Sequence, residues 1–173
     1  QLWGIASRTD YDLKSHQNHS GANLEYLDPE TNEKYLPFVV EPSLGVERLF
    51  LAILEECYDE EIVPETNETR GVLHIAKSLA PVQIAVLPLM KKYQGDAADA
   101  LFNQLIKKFR VQYDEAGNIG KRYRRQDVIG TPYCVTLDED TLKDNTVTVR
   151  ERDSMKQIRL PIAELESYFL QNL

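Results

Sequence analysis

The most chemically pointed stretch of this sequence is Val40-Glu41-Pro42-Ser43-Leu44-Gly45-Val46-Glu47-Arg48, which runs directly into Leu49-Phe50-Leu51-Ala52-Ile53-Leu54. It sets two carboxylates, a hydroxyl, a glycine and an arginine where a β-like run gives way to an apolar helix. Glycine at such a junction lets backbone come close to a ligand, and an arginine on the first helical turn reaches an anion. A small ammonium ligand taken from water needs a carboxylate such as Glu41; a nucleotide phosphate needs a fixed cation such as Arg48. The set therefore suits a small cation bound beside a phosphate-bearing molecule. The same residues also read as a plain β-to-α corner, with Ser43 capping the helix and Glu47 and Arg48 solvated.

A second constellation is Lys121-Arg122-Tyr123-Arg124-Arg125, which follows Gly117-Asn118-Ile119-Gly120. A glycine-containing loop that opens a helix can hold phosphate through its backbone N–H groups. The spacing lacks the ending of a Walker loop. Arg122 and Arg125, three apart, should project together, and Tyr123 offers either a stacking surface or a core contact. A solvated helix face and a free-standing nucleotide site at 117–120 are the rival readings. His16 and His19 form an HxxH with no further ligands nearby, His74 stands alone, and Asp138-Glu139-Asp140 reads as a turn, so no metal site is expected. Cys57 and Cys134 fit no metal or redox spacing and read as buried cytosolic thiols.

The elements that would position these groups fall into two parts. Residues 1–6 read as a strand, 7–13 as a polar segment or short helix and 18–21 as a loop. Residues 24–27 and 35–40 read as strands joined through Asp28-Pro29-Glu30-Thr31-Asn32. Residues 45–58 form a helix apolar on most sides, expected to be buried against a sheet. Residues 64–80 read as a linker between a first part, 1–63, and a second, 81–173. In the second part, 82–87 is a strand buried on both faces. Asp96 can cap a helix with Leu101, Phe102, Leu105, Ile106 and Phe109 inward. Strands follow at 111–113, 133–137, 146–150 and 157–160, with a helix at 118–130 and a last one opened by Pro161. This alternation predicts an α/β fold: a mixed, mainly parallel sheet flanked by helices.

Charge divides the same way. The 173-residue chain carries a net charge of −8. Residues 1–63 hold 4 Lys/Arg against 13 Asp/Glu, whereas residues 107–125 hold 7 against 2. A polyanion would therefore meet the second part, on one face. No run of 18 apolar residues predicts a membrane span, and the start of the chain has no basic n-region and is not read as a signal peptide.

In several ordered stretches the chain resembles the C-terminal part of class II glycyl-tRNA synthetases of the dimeric type. These are residues 1–13 (QLWGIASRTDYDL), 39–54 (VVEPSLGVERLFLAIL), 79–92 (LAPVQIAVLPLMKK), 113–142 (YDEAGNIGKRYRRQDVIGTPYCVTLDEDTL) and 145–162 (NTVTVRERDSMKQIRLPI). The resemblance implies that residues 1–63 are the end of an antiparallel α+β catalytic domain and 81–173 an anticodon-binding domain. It implies that Glu41, Pro42, Ser43, Leu44 and Gly45 line the glycine pocket, with Glu41 and Ser43 on the ammonium. It implies that Gln1, Leu2, Gly45, Val46, Glu47 and Arg48 bind ATP with its Mg²⁺, with Glu41 and Arg48 carrying the catalysis, and that Lys121, Arg122, Arg124 and Arg125 bind tRNA-Gly. It further implies a cytoplasmic homodimer as the parent enzyme. Where Gln1 stands the family usually carries glutamate, and the stretches of class II motifs 1 and 2 lie outside this sequence. The chain alone is thus expected not to aminoacylate and to expose apolar surface on its first part. A non-catalytic synthetase-like accessory protein is the alternative.

Overall fold

The computed structural model describes residues 2–64 and 66–173. They form two compact units, Gln1–Ala52 and Ile53–Leu173.

The first unit opens with strand β1 (Trp3–Thr9), helix α1 (Tyr11–Ser20) and the short strands β2 (Tyr26–Leu27) and β3 (Lys34–Tyr35). Strand β4 (Val39–Leu44) leads into helix α2 (Val46–Cys57). Helix α1 absorbs the predicted loop at 18–21 and stops at Gly21, whose φ of 71° gives the left-handed cap that an L side chain resists; its N–H donates to Gln17 O at 2.9 Å. The predicted strand 35–40 is divided between two ladders: β3 pairs antiparallel with β2, and β4 pairs antiparallel with β1. Pro37, which has no N–H for a ladder, stands between them. The β2–β3 turn is held by Asp28, whose Oδ1 accepts from Glu30 N at 2.8 Å. No described residue of this unit is buried. The apolar residues that open α2 are exposed, Val46 at 69% and Phe50 at 61%, not buried against a sheet as the helix pattern predicted but in keeping with the apolar surface expected on the first part; among the described residues of this unit no layer covers them.

In the second unit, Ile53, Leu54 and Cys57 at the end of α2 pack on Leu73, Ile75 and Ala80. Strand β5 (Tyr58–Ile62) forms an antiparallel pair with β6 (Thr69–Leu73). The segment read as a linker therefore contains a strand whose Arg70, Val72 and Leu73 are buried. Strand β7 (Ile84–Pro88) is buried throughout, as a strand covered on both faces must be. Helix α3 (Lys91–Leu105) starts five residues before Asp96, because the Gln94 side chain turns back to accept from Met90 N at 2.8 Å and closes the helix start there. Then come β8 (Val111–Tyr113), α4 (Ile119–Val128), β9 (Tyr133–Leu137), α5 (Thr141–Asp144), β10 (Thr146–Glu151) and β11 (Gln157–Pro161). A 3-10 turn (Ile162–Glu164) and helix α6 (Leu165–Asn172) end the chain.

The five-stranded sheet has the order β11-β10-β9-β7-β8. It is mixed, as expected. Its parallel pairings are those of β7 with β8 and β9; β10 runs antiparallel to both neighbours. Period-2 alternation splits the strands into two faces. Ile84, Val86, Val135, Leu137, Val147 and Val149 join α3 and α6 in the main core, where Phe109 and Phe169 meet edge-to-face. Ala85, Leu87 and Cys134 face the other way, against Ile119 and Tyr123 of α4. Among the described residues no helix is long and apolar enough to cross a membrane.

Candidate nucleic-acid interface

Helix α4 begins at the loop that the glycines shape. Gly117 takes a φ of 74°, and Asn118 caps the helix by accepting from Lys121 N at 2.9 Å. Beside this start lies an open groove of about 900 Å³. Its wall carries Lys121, Arg124, Arg150 and Lys156 against one acid, Glu68, with Tyr123, Asn118, Gly120 and Gln157 between them. In a chain with a net charge of −8, this is a local concentration of positive charge with an aromatic ring in it, the pairing used to hold single-stranded polyanions. Arg124 is tethered loosely to Glu68 at 3.6 Å.

The four cations predicted from sequence do not act as one patch. Arg122 is buried, and its guanidinium is consumed by carbonyls: Nη2 donates to Gly117 O at 2.6 Å and Nη1 donates to Pro88 O. Its side chain is turned inward and holds the glycine loop against the end of β7. Arg125 points elsewhere, clamping Asp114 with bonds of 3.0 and 2.7 Å and donating to Ala116 O at 2.6 Å. The expected joint projection of Arg122 and Arg125 is thus wrong, because the loop carbonyls take one and Asp114 the other. Lys121 and Arg124 do face the groove.

Sequence reasoning missed Arg150. It stands on the α4 face of β10, over the Tyr123 ring at 4.8 Å, and its guanidinium makes bonds of 2.8 and 3.1 Å to the buried Asp127. Burial works against its charge, but Asp127 outweighs this and raises its pKa. Asp127 also accepts from Arg70 Nε at 3.0 Å. Arg70 in turn reaches Glu61 at 3.1 Å and the carbonyl of Arg152. Tyr123 is fixed through its hydroxyl, 2.6 Å from Thr136 Oγ1. The only signal in the sequence was the run Arg150-Glu151-Arg152-Asp153, which reads as a charged strand end. His74 is not alone either: its Nε2 lies 2.9 Å from Glu61 and its Nδ1 2.7 Å from Asp153. Asp59, Glu61 and His74 could geometrically meet a cation, but Glu61 is paired with Arg70 and Asp153 with Arg152. Glu61 is thus already engaged by a cation of the fold.

In the first unit, the β1–β4 register sets Gly4 opposite Ser43 and Ala6 opposite Glu41. Glu41 and Ser43 thus share one face with two small residues, which leaves room beside them; Pro42 and Leu44 occupy the other face with Ile5 and Trp3. Glu41 pairs with Arg8 at 3.3 Å. A hollow of about 230 Å³ gathers Leu2, Gly4, Ser43, Gly45 and Arg48. Gly45 donates to Leu2 O at 3.4 Å and accepts from Leu49 N at 2.9 Å, so it opens α2. Val46 and Glu47 follow on the first turn outside the hollow. The role expected of Gln1 falls outside the described residues.

Residues 83–172 match the anticodon binding domain family. The chain belongs to that family. The groove described above lies largely within this anticodon-binding domain, with Val63, Thr66 and Glu68 added from the β5–β6 hairpin. Glycine–tRNA ligases of Staphylococcus aureus, strains JH9 and Newman, are each 57% identical to the chain over 171 residues, covering 99% of it. The chain spans 37% of the length of these relatives. The RNA binding domain of threonyl-tRNA synthetase from Cryptosporidium parvum Iowa II superposes with a TM-score of 0.65 at 24% identity. It covers 86% of this chain and 35% of that one, a likeness of fold.

Proposed function

We propose that this chain is part of a glycine–tRNA ligase and that its anticodon-binding domain receives the anticodon arm of tRNA-Gly in the groove beside α4. The observation that supports this most is the convergence of Lys121, Arg124, Arg150 and Lys156 around Tyr123 on an otherwise acidic chain. Lys121, Arg124 and Lys156 offer charge to the RNA backbone; Tyr123, stiffened by Thr136 and Arg150, offers a ring edge or face to a base. Binding of a glycine-tRNA anticodon stem-loop should weaken with salt at a log–log slope of about −2 to −3. Lys121→Ala with Arg124→Ala should flatten that slope by about 1.5 to 2. Absence of binding at low salt, or equal binding of a swapped anticodon, would sink the reading.

In the whole ligase, the carboxylate of glycine attacks the α-phosphorus of ATP, pyrophosphate leaves, and the terminal ribose hydroxyl of the tRNA then takes the glycyl group. On this reading Glu41 and Ser43 orient the ammonium, with Gly4 and Ala6 providing the space, and Arg48 holds phosphate charge. Mg²⁺ would arrive with ATP. The hollow at Arg48 is lined by no carboxylate, so its residues fit a phosphate and not the metal. Glycine-dependent exchange of pyrophosphate into ATP by the whole ligase should fall about a hundredfold with Arg48→Ala. The enzyme is read as a cytoplasmic homodimer, and the two free thiols, Cys57 and Cys134, agree with a reducing setting. The accessory-protein alternative has less support, since the relatives that span the chain are named as ligases.

A further inference from the structure

The opposite flank of α4 carries a second hollow, of about 420 Å³. Its floor is apolar, made by Val128 and Ile129, both exposed. Its rim carries Arg124 and the ion pair of Arg125 with Asp114. Arg124 lines both this hollow and the basic groove, so the two are continuous around one side chain. An apolar floor gives nothing to a phosphate, and a cationic rim gives nothing to an apolar peptide side chain. A nucleotide has a use for both: a flat, poorly hydrated ring and a charged backbone beside it.

The polar group at this site is anchored from beneath. Gln126 is buried. Its Oε1 accepts from Thr131 Oγ1 at 2.7 Å, which leaves Nε2 to donate to Gln112 Oε1 at 3.3 Å. Gln112 is exposed on β8, and with its oxygen turned to Gln126 it presents its NH₂ group outward. The relay Thr131–Gln126–Gln112 thus holds the Gln112 amide in place with one half facing outward. Arg125, locked on Asp114 and Ala116, adds a guanidinium plane at the rim.

We propose that this hollow receives one unstacked nucleobase of the RNA bound in the groove, and that Gln112 selects it by donating from Nε2 to an acceptor on the base edge. This rests on the reading of the groove as the anticodon-arm site. The test titrates the full chain with the glycine-tRNA anticodon stem-loop and with versions made abasic at each loop position in turn. Gln112→Glu, which turns the donor into an acceptor, should weaken the intact loop about tenfold. Gln112→Met, which removes the donor without adding charge, should act in the same direction. Both losses should vanish against RNA abasic at one particular position. Wild-type binding of every RNA by both variants, while Lys121→Ala with Arg124→Ala still weakens it, would overturn the subsite and leave the groove standing. A loss that persists against every abasic RNA would equally overturn it. No binding by the unaltered chain would remove the groove reading itself.

Discussion

The two units handle charge in opposite ways. In the first, Arg8, Asp12 and Glu41 meet at the surface, and the groups at the corner are placed only by the register of β1 against β4. In the second, Arg70, Asp127, Arg150 and Arg152 are buried together, and each guanidinium is fixed by several bonds. A charge taken out of water must find its partner or the fold loses several kcal/mol. Such a network therefore dictates where a side chain lies, whereas an exposed pair only follows the backbone. The second unit can build a binding surface whose key arginine is set from beneath. The first presents its chemistry on two strands with no buried layer under them.

The largest expected difference follows directly. Asp127→Ala should cost about 3–5 kcal/mol in denaturant unfolding, since it leaves Arg70 and Arg150 buried and unpaired, whereas Glu41→Ala should stay within about 0.5 kcal/mol. Equal effects would erase the contrast. Next comes backbone. Gly130 has a φ of 81°, and a Cβ there would stand 2.7 Å from Ile75 Cγ2 and 3.0 Å from Leu73 O. Gly130→Ala should lower stability by about 2 kcal/mol. At Gly45 the nearest atom to a Cβ is Arg48 Cδ at 3.5 Å, an ordinary contact, so Gly45→Ala should remain within about 1 kcal/mol.

Acid titration sharpens the comparison further. The Arg159 guanidinium, with the Thr141 N–H, holds the Asp138 carboxyl well below its usual range, tying the end of β9 to β11. A depressed carboxylate stabilises the fold above its unfolded value, about 3.9, and that contribution is lost as pH falls below it. Asp138→Asn should therefore flatten the acid limb of the stability profile, while Asp12→Asn, whose carboxyl Arg8 also holds low but at the solvent-screened surface of the first unit, should flatten it less. The smallest effect is chemical. Burial pushes the Cys134 thiol up to about 12, so at pH 8 a thiol reagent should leave it unmodified until the chain unfolds; Cys57, only half-buried, should react first. Mass spectrometry of the labelled native protein decides this.

The strands and helices of the second unit were legible because their apolar residues are patterned: a continuous apolar run in β7, a near-continuous one in β9, alternation in β10, and a period of 3.6 around Leu101 and Leu105. The resemblance to glycyl-tRNA synthetases was legible from motifs, and the family match agrees with it for residues 83–172. What could not be read was the destination of each arginine. Arg122, Arg124 and Arg125 are near neighbours in sequence, yet one is buried on carbonyls, one faces the groove and one clamps Asp114. Those partners come from loops and strands that only the tertiary fold brings near. The exposed start of α2 misled for a related reason: an apolar face announces that it should be covered but not where its cover lies. The extent of β6 was hidden by the acidic and polar residues flanking it, which read as a boundary.

Arg70 has a practical meaning for anyone cutting this protein. It lies upstream of residues 83–172, the part that matches the anticodon-binding family, yet it supplies the cation on one side of Asp127 and caps the carbonyl of Arg152. A fragment begun at residue 81 would carry every element of the five-stranded sheet and still lack this keystone. Asp127 would keep only Arg150 as its cation, and the arginine beneath the groove would lose its fixed seat. The stretch recognisable as a family module and the compact unit that contains it thus have different edges, residue 83 for the first and Ile53 for the second.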